Sequence, residues 1–319
     1  MVPAAKGGAR RAAVLADFGS RALRIKAGEW ALAACAVPVV TIAAPGEEGF
    51  AAVAADYFRD LQQRLCAAFE AFEPVSQFAA SRWTKPPGHR LQGGGESRLM
   101  RGTVFEKVGV NVSHVWGVLA PEARGQVAGA EAADGRFTAC GISLVAHMVN
   151  PYVPAVHMNL RYLATSRAWF GGGSDLTPTF PFAEDTADFH AALRGACEAY
   201  RPGAYQEYKE WCDRYFYLPH RQEPRGVGGI FFDDLASADR EADFAFVRSV
   251  GAAFLEVYPR IVARRKDSPY EESARARLLA KRGRYVEFNL VYDRGTRFGF
   301  ATDADPDAYL MSLPPLVSW

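Results

Sequence analysis

Polar side chains occupy alternate positions along two neighbouring segments of the chain. His157, Asn159 and Arg161 stand two residues apart, so in an extended strand they share one face. Ser143 and His147 share a face of the preceding segment in the same way. A solvated strand face is usually rich in Lys, Glu and Thr, whereas this one combines imidazole, amide, hydroxyl and guanidinium groups. The pattern therefore predicts a lined pocket in preference to a solvent-facing strand.

The chemistry that suits these side chains is the binding of an anion beside a proton-transfer group. The planar fork of Arg161 matches a carboxylate or a phosphate through bidentate hydrogen bonds. Asp175 follows the glycine run 171–173, which would let the backbone approach a ligand closely. A carboxylate there could accept a hydrogen bond from a ligand N–H or act as a base. The run lacks the Gly-Lys-Ser/Thr ending of a phosphate loop, so nucleotide binding is not predicted.

Histidines are the other groups that could carry chemistry. The six are His89, His114, His147, His157, His190 and His220. None forms an HxxxH or HExxH pair, so the spacing favours structural or ligand-binding roles over a local zinc site. Four histidines on separate elements could still converge on one metal.

Two further charged spots lie later in the chain. Asp233 and Asp234 end an apolar run, and we interpret them as a helix cap in preference to a paired-carboxylate site. Arg221 and Arg225, with glycines near them, predict a second basic and flexible spot.

Hydrophobic periodicity predicts the elements that must position these groups. The predicted helices are 51–72, 186–200, 203–217, 244–262 and 270–281; the predicted strands are 103–116, 137–147, 155–163 and a C-terminal hairpin of 284–292 and 297–302. Segments 91–98 and 126–136 are predicted loops, and a stiff turn with two prolines joins the central strands. Because strands come in neighbouring pairs and helices in a block, the predicted class is α+β with a large, mostly antiparallel sheet.

Composition narrows the class of protein. The chain has 319 residues, of which 49% are hydrophobic and 23% charged, a balance that allows a sizeable core. The formal net charge of +1 gives no indication of a nucleic-acid partner or of an anionic membrane surface. The five cysteines are well separated and contain no CxxC pair, which favours unpaired thiols in a reducing compartment, the cytoplasm.

The first residues differ from the rest of the chain. Segment 1–32 is basic and poor in acids, and the apolar run 30–45 follows it, as in a targeting segment. Pro38 interrupts that run, which is shorter than the roughly 20 residues of a membrane span. We therefore expect a poorly specified extension over 1–49, one domain over 50–319, and no integral membrane segment.

Longer motifs point to a family. They are Asn-Pro-Tyr-Val-Pro at 150–154, His-Met-Asn-Leu-Arg at 157–161, Trp-Phe-Gly-Gly-Gly-Ser-Asp-Leu-Thr-Pro at 169–178, Arg-Gly-Val-Gly-Gly-Ile-Phe-Phe-Asp-Asp at 225–234 and Gly-Arg-Tyr-Val-Glu-Phe-Asn-Leu-Val-Tyr-Asp-Arg-Gly-Thr at 283–296. In this order, and from about residue 50 to the last residue, the chain resembles the oxygen-dependent coproporphyrinogen III oxidases of haem synthesis.

The resemblance implies an activity and a fold. Enzymes of this family oxidatively decarboxylate two propionates of coproporphyrinogen III to vinyl groups and give protoporphyrinogen IX. Molecular oxygen is the oxidant and no organic cofactor takes part. The family fold is a large antiparallel sheet with helices on both faces, and the family works as a homodimer, here through about 285–319.

The resemblance also assigns residues, motif by motif. Ser143, Asn159, Leu160 and Arg161 match substrate contacts; His157 matches the proton donor; Asp175 matches the aspartate that binds pyrrole N–H groups; and His147, His157, His190 and His220 match ligands of a divalent metal. The loop Asp303, Ala304 and Asp305 matches a further substrate contact, where the family usually has glycines. Two added carboxylates there are expected to weaken the binding of an anionic substrate.

Two other functions remain open from the sequence. Four converging histidines would suit a metal-dependent hydrolase or oxygenase. The departure at 302–306 would suit a non-catalytic tetrapyrrole carrier built on the same fold.

Overall fold

Residues that alternate between apolar and polar form the centre of the molecule, an antiparallel sheet. A computed structural model describes residues 47–301 and 306–319 of the chain. The strands in these residues are β1 (Ala79–Thr84), β2 (Leu91–Met100), β3 (Phe105–Val118), β4 (Arg136–Met148), β5 (Ala155–Ala164), β6 (Ala168–Thr177), β7 (Tyr217–Leu218), β8 (Glu223–Pro224) and β9 (Gly228–Leu235). Seven of them pair in the order β1-β2-β3-β4-β5-β6-β9, and β7 pairs with β8 separately. Every pairing in the large sheet is antiparallel.

Helices lie against both faces of this sheet. They are α1 (Glu47–Glu70), α2 (Pro121–Arg124), α3 (Ala183–Tyr200), α4 (Ala204–Tyr215), α5 (Arg240–Arg265), α6 (Glu272–Val291), α7 (Arg294–Ala301), α8 (Pro306–Tyr309) and the 3-10 turn Leu310–Ser312. Helices α1, α3 and α5 bury the apolar face, whose β5 residues Val156, Met158 and Leu160 are at most 1% exposed. Helix α6 and the 3-10 turn contact the opposite face. The predicted α+β class is confirmed.

The described residues all belong to one compact unit, Thr41–Trp319. The predicted extension 1–49 lies almost wholly outside the described residues and stays a prediction. Within the described part of the chain, no helix is both long enough and apolar enough to span a membrane.

Most of the predicted helices are confirmed, with ends that differ by a few residues, but two predictions of local structure are wrong. The glycine-rich segment 91–98, predicted as a loop, is part of strand β2. The predicted C-terminal hairpin is helical: 284–291 continues α6, and α7 follows. Leu278, Arg282 and Tyr285 are buried at helical spacing, and this tertiary burial outweighs the strand-like alternation of aromatic and β-branched residues.

The predicted helix cap at Asp233 and Asp234 is also wrong. Both residues belong to strand β9, and the residue that caps α5 is Asp239, whose carboxylate accepts from the backbone N–H of Ala242.

Candidate active site

The polar face of β5 is the floor of the candidate site. Asn159 pairs with Ser143 on β4, and His157 pairs with Asp175 on β6. Directly opposite residues in an antiparallel pair point to the same face, so these groups and Arg161 share one side of the sheet. The register thus places Ser143, His157, Asn159, Arg161 and Asp175 on one face. Their roles in binding and catalysis stay predictions.

An aspartate–histidine pair stands at one end of this face. The ring nitrogen Nδ1 of His157 lies 3.0 Å from Oδ1 of Asp175. The carboxylate is 1% exposed, whereas 23% of the His157 side chain is exposed. Because an ionised carboxylate only accepts, Nδ1 carries the proton and donates to Asp175. This assignment leaves Nε2 as the nitrogen that a ligand can reach.

Arg225 closes the other side of Asp175, a role that the sequence did not predict. Its Nη2 donates to both carboxylate oxygens, at 2.9 and 2.7 Å. Burial alone would raise the pKa of Asp175, but the Arg225 charge and the His157 hydrogen bond outweigh it and lower that pKa. Asp175 is therefore ionised and enclosed, and an orienting role through His157 suits it better than direct contact with a ligand N–H.

A shell of aromatic rings and one amide holds Arg225 in place. Its guanidinium lies 4.0 Å from the ring centre of Phe216, 4.5 Å from that of Tyr285 and 4.7 Å from that of Phe288. Its Nη1 donates to Oδ1 of Asn289 at 3.0 Å. Helix α6 thus covers the buried ion pair with Tyr285, Phe288 and Asn289. These contacts with Arg225 are a further reason why residues 285–289 are helical and not a strand.

Arg161 stands at the other end of the face, with a second carboxylate. Its Nη1 donates to Oδ1 of Asn159 at 2.8 Å, and its Nη2 lies 2.9 Å from Oδ1 of Asp233. The other oxygen of Asp233 lies 3.0 Å from Nη2 of Arg294. Gly171 pairs with Arg161 across the strands and leaves room for its guanidinium. The structure thus makes Arg161 one member of a group of charges.

One predicted substrate contact, Leu160, does not present its side chain on this face. The Leu160 side chain is fully buried in the apolar core on the opposite side of the sheet, so only its backbone can meet a ligand. Asp303, Ala304 and Asp305 lie outside the described residues, and their predicted role stays a prediction.

The four predicted metal ligands each bond to different protein atoms. Nε2 of His147 lies 2.8 Å from the carbonyl oxygen of Ser312, and burial lowers the pKa of this histidine to about 3. His190 bonds the Val227 carbonyl and the Tyr205 hydroxyl, and His220 bonds Glu287 and the Tyr292 hydroxyl. Across the described ranges, no three His, Cys, Asp or Glu side chains form a metal-binding group. The arrangement does not fit a four-histidine metal site.

Arg225, Asp233 and Arg294 are the charged residues that the sequence analysis did not assign to the site. Arg225 and Asp233 flank a seven-residue segment of glycine and apolar residues, 226–232, which contains the buried part of strand β9. A charge at the end of a buried strand must be paired. That signal could have placed both residues near Arg161 or Asp175, although it does not identify the partner.

The fold and the site together define a class of protein. A sheet face with a shielded Asp–His pair at one end and a carboxylate-held arginine at the other suits an enzyme that transfers protons on a ligand with acidic groups.

Comparison with known proteins identifies the family within this class. A family model described as coproporphyrinogen III oxidase matches residues 53–319. The chain is 49% identical over 276 residues to the oxygen-dependent coproporphyrinogen-III oxidase of Rickettsia bellii (strain OSU 85-389), covering 84% of this chain and 97% of the relative. The same enzyme of Rickettsia akari (strain Hartford) is 49% identical and that of Rickettsia rickettsii (strain Sheila Smith) 48% identical, with the same coverage. The chain belongs to the coproporphyrinogen III oxidase family, whose members are oxidoreductases.

Proposed function

We propose that this chain catalyses the oxygen-dependent oxidative decarboxylation of two propionates of coproporphyrinogen III to vinyl groups, in haem biosynthesis. The observation that carries the proposal is the layout of one strand face. His157 and Arg161 point the same way from β5, and their Cα atoms are four residues and about 13 Å apart along an extended strand. Two groups spaced in this way suit a large ligand with several carboxylates, such as a tetrapyrrole, better than a small acid.

The overall reaction determines how many electrons and protons are transferred for each propionate. Each propionate anion loses CO₂, two electrons and one proton, the proton coming from the carbon next to the ring, and a vinyl group remains. Two-electron reduction of O₂ with two protons takes up the electrons and gives H₂O₂. No organic cofactor is needed for this balance, and O₂ is the oxidant in the proposal.

His157 is the proposed proton-transfer residue. Its Nε2 takes the pyrrole N–H proton, which leaves an electron-rich ring that can react with O₂ directly. The ionised Asp175 stabilises the imidazolium that forms, as in other Asp–His pairs. The imidazolium then donates its proton to the reduced oxygen, and a proton from solvent completes H₂O₂. The proton released from the side-chain carbon returns to the pyrrole nitrogen, so the ring and the histidine both regain their starting protonation.

Arg161 is the proposed anchor of the substrate. Its guanidinium has donors that neither Asn159 nor Asp233 occupies, and these can bind a propionate in the bidentate manner that arginine favours. Ser143, opposite Asn159 on β4, offers a hydroxyl on the same face. We derive no step through a divalent metal, because the four histidines do not form one ligand set.

The oligomeric state and the cellular compartment belong to the same proposal. We propose a homodimer through about 285–319, supported by exposed apolar side chains in that stretch: Leu290, Val291, Leu316 and Trp319. We also place the enzyme in the cytoplasm. Support comes from the free, buried thiols of Cys66, Cys140, Cys197 and Cys212, which need no oxidising compartment.

The test is an aerobic assay of the purified full chain with coproporphyrinogen III. Wild-type protein should release one CO₂ per O₂ consumed and form protoporphyrinogen, read as protoporphyrin fluorescence after oxidation. His157→Gln should lower kcat by roughly 10²–10⁴-fold in protein that circular dichroism shows to be folded, since general acid–base catalysis contributes about that factor.

Three outcomes would contradict the proposal. Turnover without O₂ would exclude the oxidase chemistry. Tight binding without turnover would favour a tetrapyrrole carrier. Activity that a chelator abolishes and one divalent metal restores would favour a metal-dependent enzyme.

A further inference from the structure

Asp233 is a carboxylate inside a site that is built to bind carboxylates. It follows the buried stretch of β9, and its side chain is 16% exposed. Oδ1 lies 2.9 Å from Arg161 and also accepts from the backbone N–H of Asp234, at 3.1 Å. Oδ2 lies 3.0 Å from Arg294. Both oxygens are therefore engaged, each with a different guanidinium.

The charges of this triad do not cancel. Two guanidinium groups and one carboxylate leave a net charge of +1, since arginine stays protonated in proteins. Without the carboxylate, Arg161 and Arg294 would repel each other and would have no fixed separation. With it, the two cations are held at one distance, and the remaining positive charge matches one further carboxylate.

The surroundings of Arg161 fix the direction of its fork. Asn159 accepts from Nη1 on one side, and Asp233 binds Nη2 on the other. On the neighbouring strand, a Cβ at position 171 would lie 2.6 Å from Oδ1 of Asp233 and 2.7 Å from Nε and Nη2 of Arg161. Only glycine leaves this space, so the close approach of the pair to β6 depends on Gly171.

Arg294 comes to this group from a different part of the chain. It is the first residue of α7, its side chain is 56% exposed, and its guanidinium lies 5.4 Å from the ring centre of Tyr215. The Tyr215 hydroxyl accepts from the backbone N–H of Arg294 at 3.1 Å. Helix α7 is thus docked so that its first residue reaches the carboxylate of β9.

We propose that Asp233 is a positioning residue that holds Arg161 and Arg294 as one clamp for a single carboxylate of the substrate. The inference rests on the proposed function, because it assigns one propionate of coproporphyrinogen III to this clamp. Asp233 acts through the two arginines and makes no contact with the reacting atoms. Its loss should therefore weaken substrate binding far more than it slows the chemical step.

The experiment compares two neighbouring aspartates in steady-state kinetics with coproporphyrinogen III. Asp233→Asn keeps the size and removes the charge, and we expect KM to rise about tenfold while kcat stays within about threefold. Asp234→Asn is the matched control, since Asp234 is 58% exposed and pairs with Arg167 instead. It should change KM less than twofold. Equal KM values for wild type and Asp233→Asn would overturn the inference.

A second background separates positioning from general structural damage. In Arg161→Ala protein, adding Asp233→Asn should raise KM by no more than about twofold, because one of the two arginines that Asp233 holds together is already gone and the clamp is broken. A tenfold effect of Asp233→Asn in the Arg161→Ala background would contradict the inference.

A second variant covers the case in which Asp233→Asn does not fold. Arg294→Gln then replaces it, because the Arg294 side chain is exposed and its removal leaves no cavity. Arg294→Gln should raise KM at least threefold. Inactive wild-type protein would contradict the proposed function itself. Active wild-type protein, with variants whose KM is unchanged, would contradict only the proposed clamp.

Discussion

At the scale of single residues, the ion pair of Asp175 and Arg225 determines what the site can do. Both side chains are almost fully enclosed, at 1% and 2% exposure. Removing two charges from water costs several kcal/mol per ion, and only good geometry and further hydrogen bonds offset that cost. Here His157 and Asn289 supply those bonds. The pair therefore keeps a negative charge behind His157 without exposing it to a ligand.

The burial of Asp175 and Arg225 predicts how their substitution changes the stability of the protein. Asp175→Asn leaves the Arg225 charge buried without a counter-ion, so we expect it to lower the free energy of unfolding by about 3–5 kcal/mol. Arg225→Met should cost a similar amount. The double variant should cost less than the sum of the two, by at least about 2 kcal/mol, because no uncompensated charge remains. Urea denaturation of the three variants measures this, and additive effects would show that the pair is not coupled.

The sequence predicted part of this site for a clear physical reason. Alternation places His157, Asn159 and Arg161 on one face whatever strand lies beside them. The partners Arg225 and Asp233 were not predictable in the same way. They are distant in the chain, and their contacts depend on which strand joins the sheet edge next to β6.

At the scale of elements, the residues from α8 to the C-terminus are held on the sheet by their backbone. Three side chains of β3 and β4 bond to carbonyl oxygens of this segment: Lys107 to Leu313, Asn111 to Ala308 and His147 to Ser312. One apolar contact adds to them, because Met311 packs directly over Gly109 on β3. Such backbone contacts leave little trace in residue types, which is why the sequence could not predict where this segment docks.

The contact of Met311 with Gly109 can be tested by adding one methyl group. Gly109→Ala would place a Cβ against the Met311 sulfur, and overpacking of this kind costs about 1–3 kcal/mol of unfolding free energy. Shortening the partner in Gly109→Ala/Met311→Ala should recover part of that loss relative to the sum of the single variants. Gly195→Ala, on an open helix surface, is the matched control and should be neutral or stabilising by up to about 1 kcal/mol. Denaturant titration of these variants gives the comparison, and equal effects of Gly109→Ala and Gly195→Ala would contradict it.

At the scale of the whole molecule, the sheet separates two environments. One face is the apolar core under α1, α3 and α5, and the other carries the site under α6 and the C-terminal turn. The sequence predicted this division because period-two alternation is strong in β4 and β5. It did not predict helix α6 over the site, since the aromatic residues that cover Arg225 resemble those of a strand.

The exposed apolar side chains of the C-terminal region carry the prediction about assembly. Leu316 is 57% exposed, within the stretch 285–319 that we propose as the dimer interface. Leu316→Glu should shift the protein from dimer to monomer, because it buries a charge in an apolar contact. Val75→Glu is the control, since Val75 is 85% exposed and lies outside that stretch. Sedimentation analysis reads the mass, and a dimer unaffected by Leu316→Glu would contradict the assigned interface.

The position of His157 and Arg161 on the same strand has one more consequence. The distance between their Cα atoms is set by the extended backbone of β5, so motion between parts of the molecule does not change it. In the proposed function both propionates of the macrocycle react beside these two residues. After the first vinyl group forms, the ligand has to turn in the site, or dissociate and rebind, before the second propionate can reach the same two residues.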